Sequence, residues 1–357
     1  MQMLDPLFDA TRLPAYYSET AACFERASGL VGRRVLKYRI GSLPFCLEFA
    51  GPALEPYMLP AFGHLAATEE IADFRVLLWD AKSTDVPMPP PPWPWGAFVR
   101  NEVYVGDRFK VVYNGDSGSL IMYDAAARQA IFWIREAENV PYYETGAPLL
   151  PAMHWWLESR NRQLVHAGAV ATTDGGILLA GRGGSGKSTT ALACLMDGFE
   201  FASDDYCVLE TSNPVRVHSI YCSAKLAADS RNRLPGVAGA IHRPGASAEK
   251  ALYLMNRPSA GRIAESFDLR AILLPRVAGT RETTVKPISP ALALRALAPS
   301  TMFQLAGAGS RVFHVLASII RRVPCFEISV GHDLARIPVA IRALLRNEAL
   351  IGSRPDA

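Results

Sequence analysis

Apolar runs punctuated by turn residues dominate the first 140 positions. VLKYRIGSLPFCLEFAG (35–51) and DFRVLLWDA (73–81) are rich in β-branched and aromatic side chains and predict strands. VPMPPPPWPW (86–95) can join neither a helix nor a central strand, so it predicts an extended loop or linker. RFKVVYNGDSGSLIMYDAAARQAIFWIRE (108–136) predicts three strands: one up to the turn at Asn114-Gly115-Asp116, a second over SLIMY and a third over QAIFWIR. This is a meander pattern, and residues 1–140 are expected to form a β-rich, mostly antiparallel domain.

From Gly146 the pattern changes. PLLPAMHWWLESRNR spaces its apolar residues as a helix does, and short apolar strands then alternate with helices, which predicts an α/β domain over 141–351. A helix over GSRVFHVLASIIRR, a stop at Pro324, the strand CFEISV and an amphipathic helix over DLARIPVAIRALLRNE close that domain. Residues 352–357 are expected to fray. No internal repeat is visible.

Composition narrows the classes. Of 357 residues, 50% are hydrophobic and 20% charged, as in soluble globular chains. The net charge of +3 comes from 37 basic and 34 acidic residues spread along the chain, so no nucleic-acid footprint is present. The six cysteines (Cys23, Cys46, Cys194, Cys207, Cys222 and Cys325) form no CxxC pair, which disfavours a zinc site and a disulfide framework and suits a reducing compartment. With no basic start followed by an apolar run, and no apolar stretch of about 18 residues, a cytoplasmic location away from membranes is expected.

The chemistry-bearing segment is GRGGSGKSTTALACLMDGFEFASDDYCVLE (181–210). Gly181-Arg182-Gly183-Gly184-Ser185-Gly186-Lys187-Ser188 fits GxxxxGK[ST], follows the apolar run ILLA and opens a helical stretch. Glycines at 181, 183, 184 and 186 let the backbone turn its N–H groups toward phosphate oxygens. Lys187 is suited to reach β- and γ-phosphates, and the hydroxyl of Ser188 to ligate Mg²⁺. Ser185 and Thr189 complete the expected nucleotide contacts.

Upstream, LVHAGAVAT and ILLAG flank Thr173-Asp174-Gly175-Gly176 and predict a hairpin. With the turn centred between Asp174 and Gly175, Ala171 faces Leu178, Ala169 faces Ala180 and His166 falls opposite Gly183, beside the phosphate loop. Downstream, Asp204 and Asp205 interrupt two apolar strand segments. Burying two acids is costly unless they meet a cation, and Mg²⁺ on a triphosphate is the candidate. One of the pair would hold the metal and the other accept the proton of an attacking hydroxyl.

VHAGAV (165–170), GRGGSGKST (181–189) and SDDY (203–206), in that order and spacing, resemble the HPr kinase/phosphorylase group of P-loop serine kinases, which shares its nucleotide core with phosphoenolpyruvate carboxykinase. The resemblance covers roughly residues 145–345 and extends to small HPr-kinase-like proteins of bacterial biosynthetic clusters, some of which phosphorylate a serine of a lasso-type precursor peptide. It implies an α/β P-loop core, ATP and Mg²⁺ as cofactors, and a serine-bearing peptide or protein as partner. A homo-oligomer is compatible with it. His166 would assist the acid/base step, Lys187 bind phosphates and Ser188 contact Mg²⁺. Asp204 is favoured as base and Asp205 as metal ligand, an order that the sequence leaves open. Lys225, Arg231 and Arg276 are further candidate cations for the developing charge.

Two function classes follow. One is an ATP-dependent kinase acting on a peptide or protein hydroxyl. The other is a nucleotide-dependent binding module whose N-terminal sheet captures an extended peptide by strand addition. A small-metabolite kinase is a third variant. The remaining histidines show no ligand spacing, and Trp93, Trp95, Trp155 and Trp156 are expected to pack.

Overall fold

The strand pairing of the N-terminal half grows from its apolar runs. The computed structural model describes residues 9–68, 71–93, 102–227, 241–243, 250–256 and 262–347. The chain divides into two compact units, Met1–Pro60 with Leu65–Arg160, and Ala61–His64 with Asn161–Ala357. The division falls after Arg160 rather than near residue 140, because the helix Leu150–Ser159 packs on the first unit's sheet.

That unit holds β1 (Arg33–Ile40), β2 (Leu43–Ala50), β3 (Phe74–Asp80), β4 (Glu102–Val105), β5 (Phe109–Asn114), β6 (Ser119–Asp124) and β7 (Gln129–Ile134). They form one sheet in the order β1-β2-β3-β7-β6-β5-β4. The meander is present as β5 to β7. Both pairings of β3 are parallel, so the sheet is mixed.

Alternation along β3 serves two faces. Leu77 and Trp79 meet α1 (Leu13–Val31), whose buried Tyr16, Tyr17, Cys23 and Phe24 recur at helical spacing. Phe74 faces the other way and stacks on Trp156 of α2 (Leu150–Ser159), ring centroids 4.9 Å apart. Val86, Met88 and Trp93 are buried in the same core as α1. The proline-rich segment, as far as Trp93, is therefore a packed loop; Pro94 and Trp95 lie outside the described residues.

The second unit is mixed α/β. Its strands are β8 (Arg162–His166), β9 (Gly168–Thr172), β10 (Gly175–Leu179), β11 (Glu200–Ser203), β12 (Tyr206–Glu210), β13 (Arg216–Ser219), β14 (Ser223–Leu226), β15 (Ile241–Arg243), β16 (Ala251–Leu254), β17 (Ser266–Val277), β18 (Thr284–Pro287) and β19 (Cys325–Val330). Its helices are α3 (Lys187–Met196), α4 (Pro290–Met302), α5 (Ser310–Ile320) and α6 (Arg336–Arg346). The large sheet runs β11-β9-β10-β17-β13-β12-β8, with β19 pairing β17 and β18 pairing β19; β14, β16 and β15 form a small sheet.

Ile177 and Leu179 pack with α3 and α6 on one face, while Leu178 and Ala180 pack with α4 and α5 on the other. Covered on both sides, β10 is apolar at each inner position instead of alternating. Each fully buried leucine or isoleucine here is worth about 2 kcal/mol.

The hairpin differs in register from the expectation. Thr172 pairs with Gly175 and Ala171 with Gly176, so the turn is Thr173-Asp174, one residue earlier. The cause is β17: a Cβ on Gly176 would lie 2.3 Å from the Phe267 ring, and one on Gly175 2.5 Å from the Arg270 side chain. The two glycines are the strand's point of close approach rather than the tip of its turn. His166 is not on this hairpin at all, because it ends β8 and pairs with Tyr206 of β12.

Candidate functional site

Two strand bends, side by side, build the site. β8 leaves β12 at His166 and, across Ala167, the chain enters β9. β11, paired with β9 through Ser203, ends there, and the chain re-enters the sheet as β12 at Tyr206. Asp204 and Asp205 are therefore the corner at which the chain changes neighbours. The bends are tied by the Ser203 hydroxyl donating to Ala167 O at 3.0 Å. At Gly168 the two bends lie in van der Waals contact, a Cβ there standing 3.4 Å from Asp204 O. His166 is further fixed by its own N–H, which donates to the buried Thr301 hydroxyl of α4 at 3.1 Å.

The glycine-rich loop follows the carboxyl end of β10 and delivers the chain into α3. Gly181, Gly184 and Gly186 hold φ of 147°, 79° and 106°, where a side chain would be strained. The space over Gly183 and Gly184 is open, with nothing within 4 Å of a Cβ built on either. Lys187, Ser188 and Thr189 form the first turn of α3, whose unpaired N–H groups make a favourable place for an anion. Lys187 folds back under the loop and donates to Gly181 O at 2.7 Å and to Arg182 O at 3.3 Å. Burial lowers the proton affinity of its ammonium, and the nearby Asp204 and Asp205 partly restore it.

The two aspartates have opposite surroundings. Asp204 is 1% exposed. Its Oδ2 accepts the backbone N–H of Lys225 at 2.8 Å, while its Oδ1 is buried with no partner. Burial, and then the neighbouring Asp205 charge, push its proton affinity up; the Ser188 hydroxyl is close enough to oppose this. Asp205 lies between the Lys225 ammonium, 3.1 Å from its Oδ2, and His166 Nε2, 3.6 Å from its Oδ1. Burial opposes ionisation of Asp205, but His166 and Lys225 outweigh it and hold the carboxyl below the usual range. Lys225 thus clasps both acids, one with its backbone and one with its side chain.

Other buried polar atoms around the loop also lack protein partners: Ser185 Oγ, Thr190 Oγ1 and His166 Nδ1. Orphaned polar atoms are rare in protein interiors, and a cluster of them beside an open glycine turn fits a polar ligand. A cation held between Ser188 and the free oxygen of Asp204 fits the same donor set. Next to this, His166, Arg182 and Gly183 share a cavity of 540 Å³ with Leu292, Arg295, Ala296, Pro299, Ser300, Phe303 and Gln304. Tyr206, its ring centroid 5.3 Å from that of His166, donates its hydroxyl to Gln304 Oε1 at 3.2 Å.

The structure thus gathers His166, Gly181, Gly183, Gly184, Ser185, Gly186, Lys187, Ser188, Thr189, Asp204, Asp205 and Lys225 about one loop. It does not gather all the expected cations. Arg276 is exposed on β17, and alternation turns it away from the loop side, where Pro275 and Val277 approach Gly186. Arg231 lies outside the described residues. Lys250, exposed just before β16, acts electrostatically on Lys187 and Asp204 and carries no motif signal. Arg295 and Gln304 are likewise invisible in the sequence.

In comparisons with known proteins, no family model matches the chain and no curated protein matches it. Among the described residues no helix is long and apolar enough to cross a membrane.

Proposed function

We propose that the second unit is an HPr-kinase-like P-loop phosphotransferase that passes the γ-phosphoryl group of ATP to a serine hydroxyl of a peptide or protein. The observation that carries this reading is the buried Asp204, held beside Ser188 and Lys187 with one oxygen unpartnered. Such a group is costly to keep and suits a site completed by ligands.

The residues divide the work as follows. The glycine turn and the start of α3 bind the phosphate chain, and Lys187 moves from its carbonyl partners to the β/γ oxygens. Mg²⁺ would be held by Ser188 and one aspartate and would neutralise charge on the β- and γ-phosphates. The proximity of Ser188 to Asp204 favours Asp204 for that place, the reverse of the order preferred from sequence. Asp205, 3.6 Å from the His166 ring that lines the cavity, then takes the hydroxyl proton, with His166 supporting it. The hydroxyl oxygen forms the new bond to phosphorus as the bond to the bridging oxygen of ADP breaks.

The test is incubation with γ-labelled ATP and serine-bearing peptides, comparing wild type with Asp205→Asn and Asp204→Asn. Label should reach a peptide serine in wild type, and both variants should lose transfer. If label goes only to water, or peptide binds in a nucleotide-dependent way with no transfer, the phosphotransferase reading gives way to a binding module.

A further inference from the structure

Helix α4 is apolar on two faces. Ala293, Leu297, Ala298 and Thr301 are buried against the sheet. Leu292, Arg295, Ala296, Pro299 and Phe303 fall at i, i+3, i+4, i+7 and i+11 and line the 540 Å³ cavity that also contains His166 and Arg182. Phe303 is 90% exposed, an unusual state for so large an apolar side chain. Neither Arg182 nor Arg295 has an acidic partner among the described residues, although the protein pairs many of its other arginines. Between Lys286 and Glu327 the chain has no acidic residue, so α4 and α5 carry no negative side chain.

We infer that the outer face of α4 is the docking groove for the acceptor, and that it selects a peptide segment carrying an acidic side chain and a bulky apolar side chain around the acceptor hydroxyl. This rests on the phosphoryl-transfer reading of the site. Arg295 pairs with the acidic side chain, for which its planar guanidinium is suited. Phe303, 90% exposed, takes the apolar one, and Leu292 continues the apolar wall at the other end of the helix. From Leu292 to Phe303 the helix rises about 16 Å. An extended chain covers that in about five residues. His166 lies on the wall of the same cavity, so a hydroxyl in the bound segment meets the Asp205–His166 pair.

The test uses the full chain and two fluorescein-labelled decapeptides, one with a central serine flanked by glutamates and leucines, the other with lysine for every glutamate. Anisotropy should show the acidic peptide binding at least about tenfold more tightly, as one charge-assisted contact allows. Arg295→Glu should abolish the preference and Phe303→Ala should weaken the acidic peptide several-fold. Both sites are exposed, so the variants should melt within about 2 °C of wild type. The affinity for a fluorescent ADP analogue should be unchanged. No charge preference in wild type, or a preference that survives in both variants, overturns the groove. Loss of the ADP analogue in the variants also overturns it, by giving the cavity to the nucleotide. Label transfer from ATP to the acidic peptide is read separately: preference without transfer sinks the phosphotransferase reading alone, and transfer without preference sinks the groove alone.

Discussion

Asp73 and Asp124 of the first unit and Asp204 of the second are held in opposite ways. In the first, Asp73 accepts from Arg160 and from Trp156 Nε1, with Arg128 at 3.1 Å. Asp124 accepts from Arg108 and from two backbone N–H groups. Burial opposes ionisation at both, but the arginines outweigh it and hold both carboxyls below the usual range. In the second unit Asp204 is more deeply buried, has one oxygen unpartnered, and has its proton affinity pushed up by burial and by Asp205. Charges of the first kind fasten strands and a helix together. That of the second kind, at Asp204, is kept at a cost to the fold, as the proposed phosphoryl-transfer role would require.

The largest effect should come from Lys187. Lys187→Met removes the cation beneath the loop, and phosphate transfer from ATP is expected to fall about 10³-fold, the scale of a lost charge-stabilising donor. The melting temperature should not fall, because a buried ammonium is removed with it. The matching change in the first unit has the reverse profile. Asp73→Ala strands Arg160 and the Trp156 indole and should lower stability by about 2–3 kcal/mol, read by urea unfolding. Transfer measured well below the midpoint should stay near wild type. If Lys187→Met unfolds the protein and Asp73→Ala abolishes transfer, the contrast is wrong.

Asp204→Asn probes the same contrast at about 1 kcal/mol. Removing the poorly satisfied charge should raise the stability of the nucleotide-free protein by about that amount while transfer is lost. The pH dependence follows in sign. Asp204 has a raised folded proton affinity, so between the unfolded value of 3.8 and the raised folded one the native state binds more protons than the unfolded. Its contribution is most favourable at low pH and is lost as pH rises through the folded value. Asp73 is depressed, so its contribution is present above 3.8 and is lost as pH falls through its folded value. The advantage of Asp204→Asn over wild type should therefore grow from pH 4 to pH 7. The deficit of Asp73→Ala should shrink below pH 4. Parallel curves would show that the two acids are not differently held.

Much of the architecture was readable because the apolar runs in β3, β5, β6, β7 and β10 are bounded by turn residues. The glycine-rich loop was readable because its spacing is local. What escaped was nonlocal. Helix α1 carries a helical stripe at Leu13, Tyr16, Tyr17, Thr20, Cys23 and Phe24, but the polar Thr20 and Ser28 inside it weaken the signal. The hairpin register was set by β17, about 90 residues downstream, whose Phe267 lies against Gly176. His166 reached the site through β12 instead of β10, which no pairing rule applied to the hairpin could foresee. Lys225 was among the candidate cations of the sequence, but not as the partner of both aspartates, a place it reaches because β14 pairs with β16 and presents its N–H and ammonium to them.

The smallest expected effect concerns Arg276, one of the two arginines that the sequence offered beside Lys225. Arg276 lies one residue from Pro275 and Val277, both of which approach Gly186, so proximity along the chain would count it in the site. Strand geometry separates it, because successive side chains of β17 point to opposite faces. Arg276→Ala should change transfer by less than about twofold and stability by less than about 0.5 kcal/mol, as for an exposed residue without special contacts. A tenfold loss of transfer with an unchanged melting curve would mean that β17 turns this side chain toward the loop when nucleotide binds. The division between residues that hold the fold and residues that serve the loop would then have to be drawn from the liganded state.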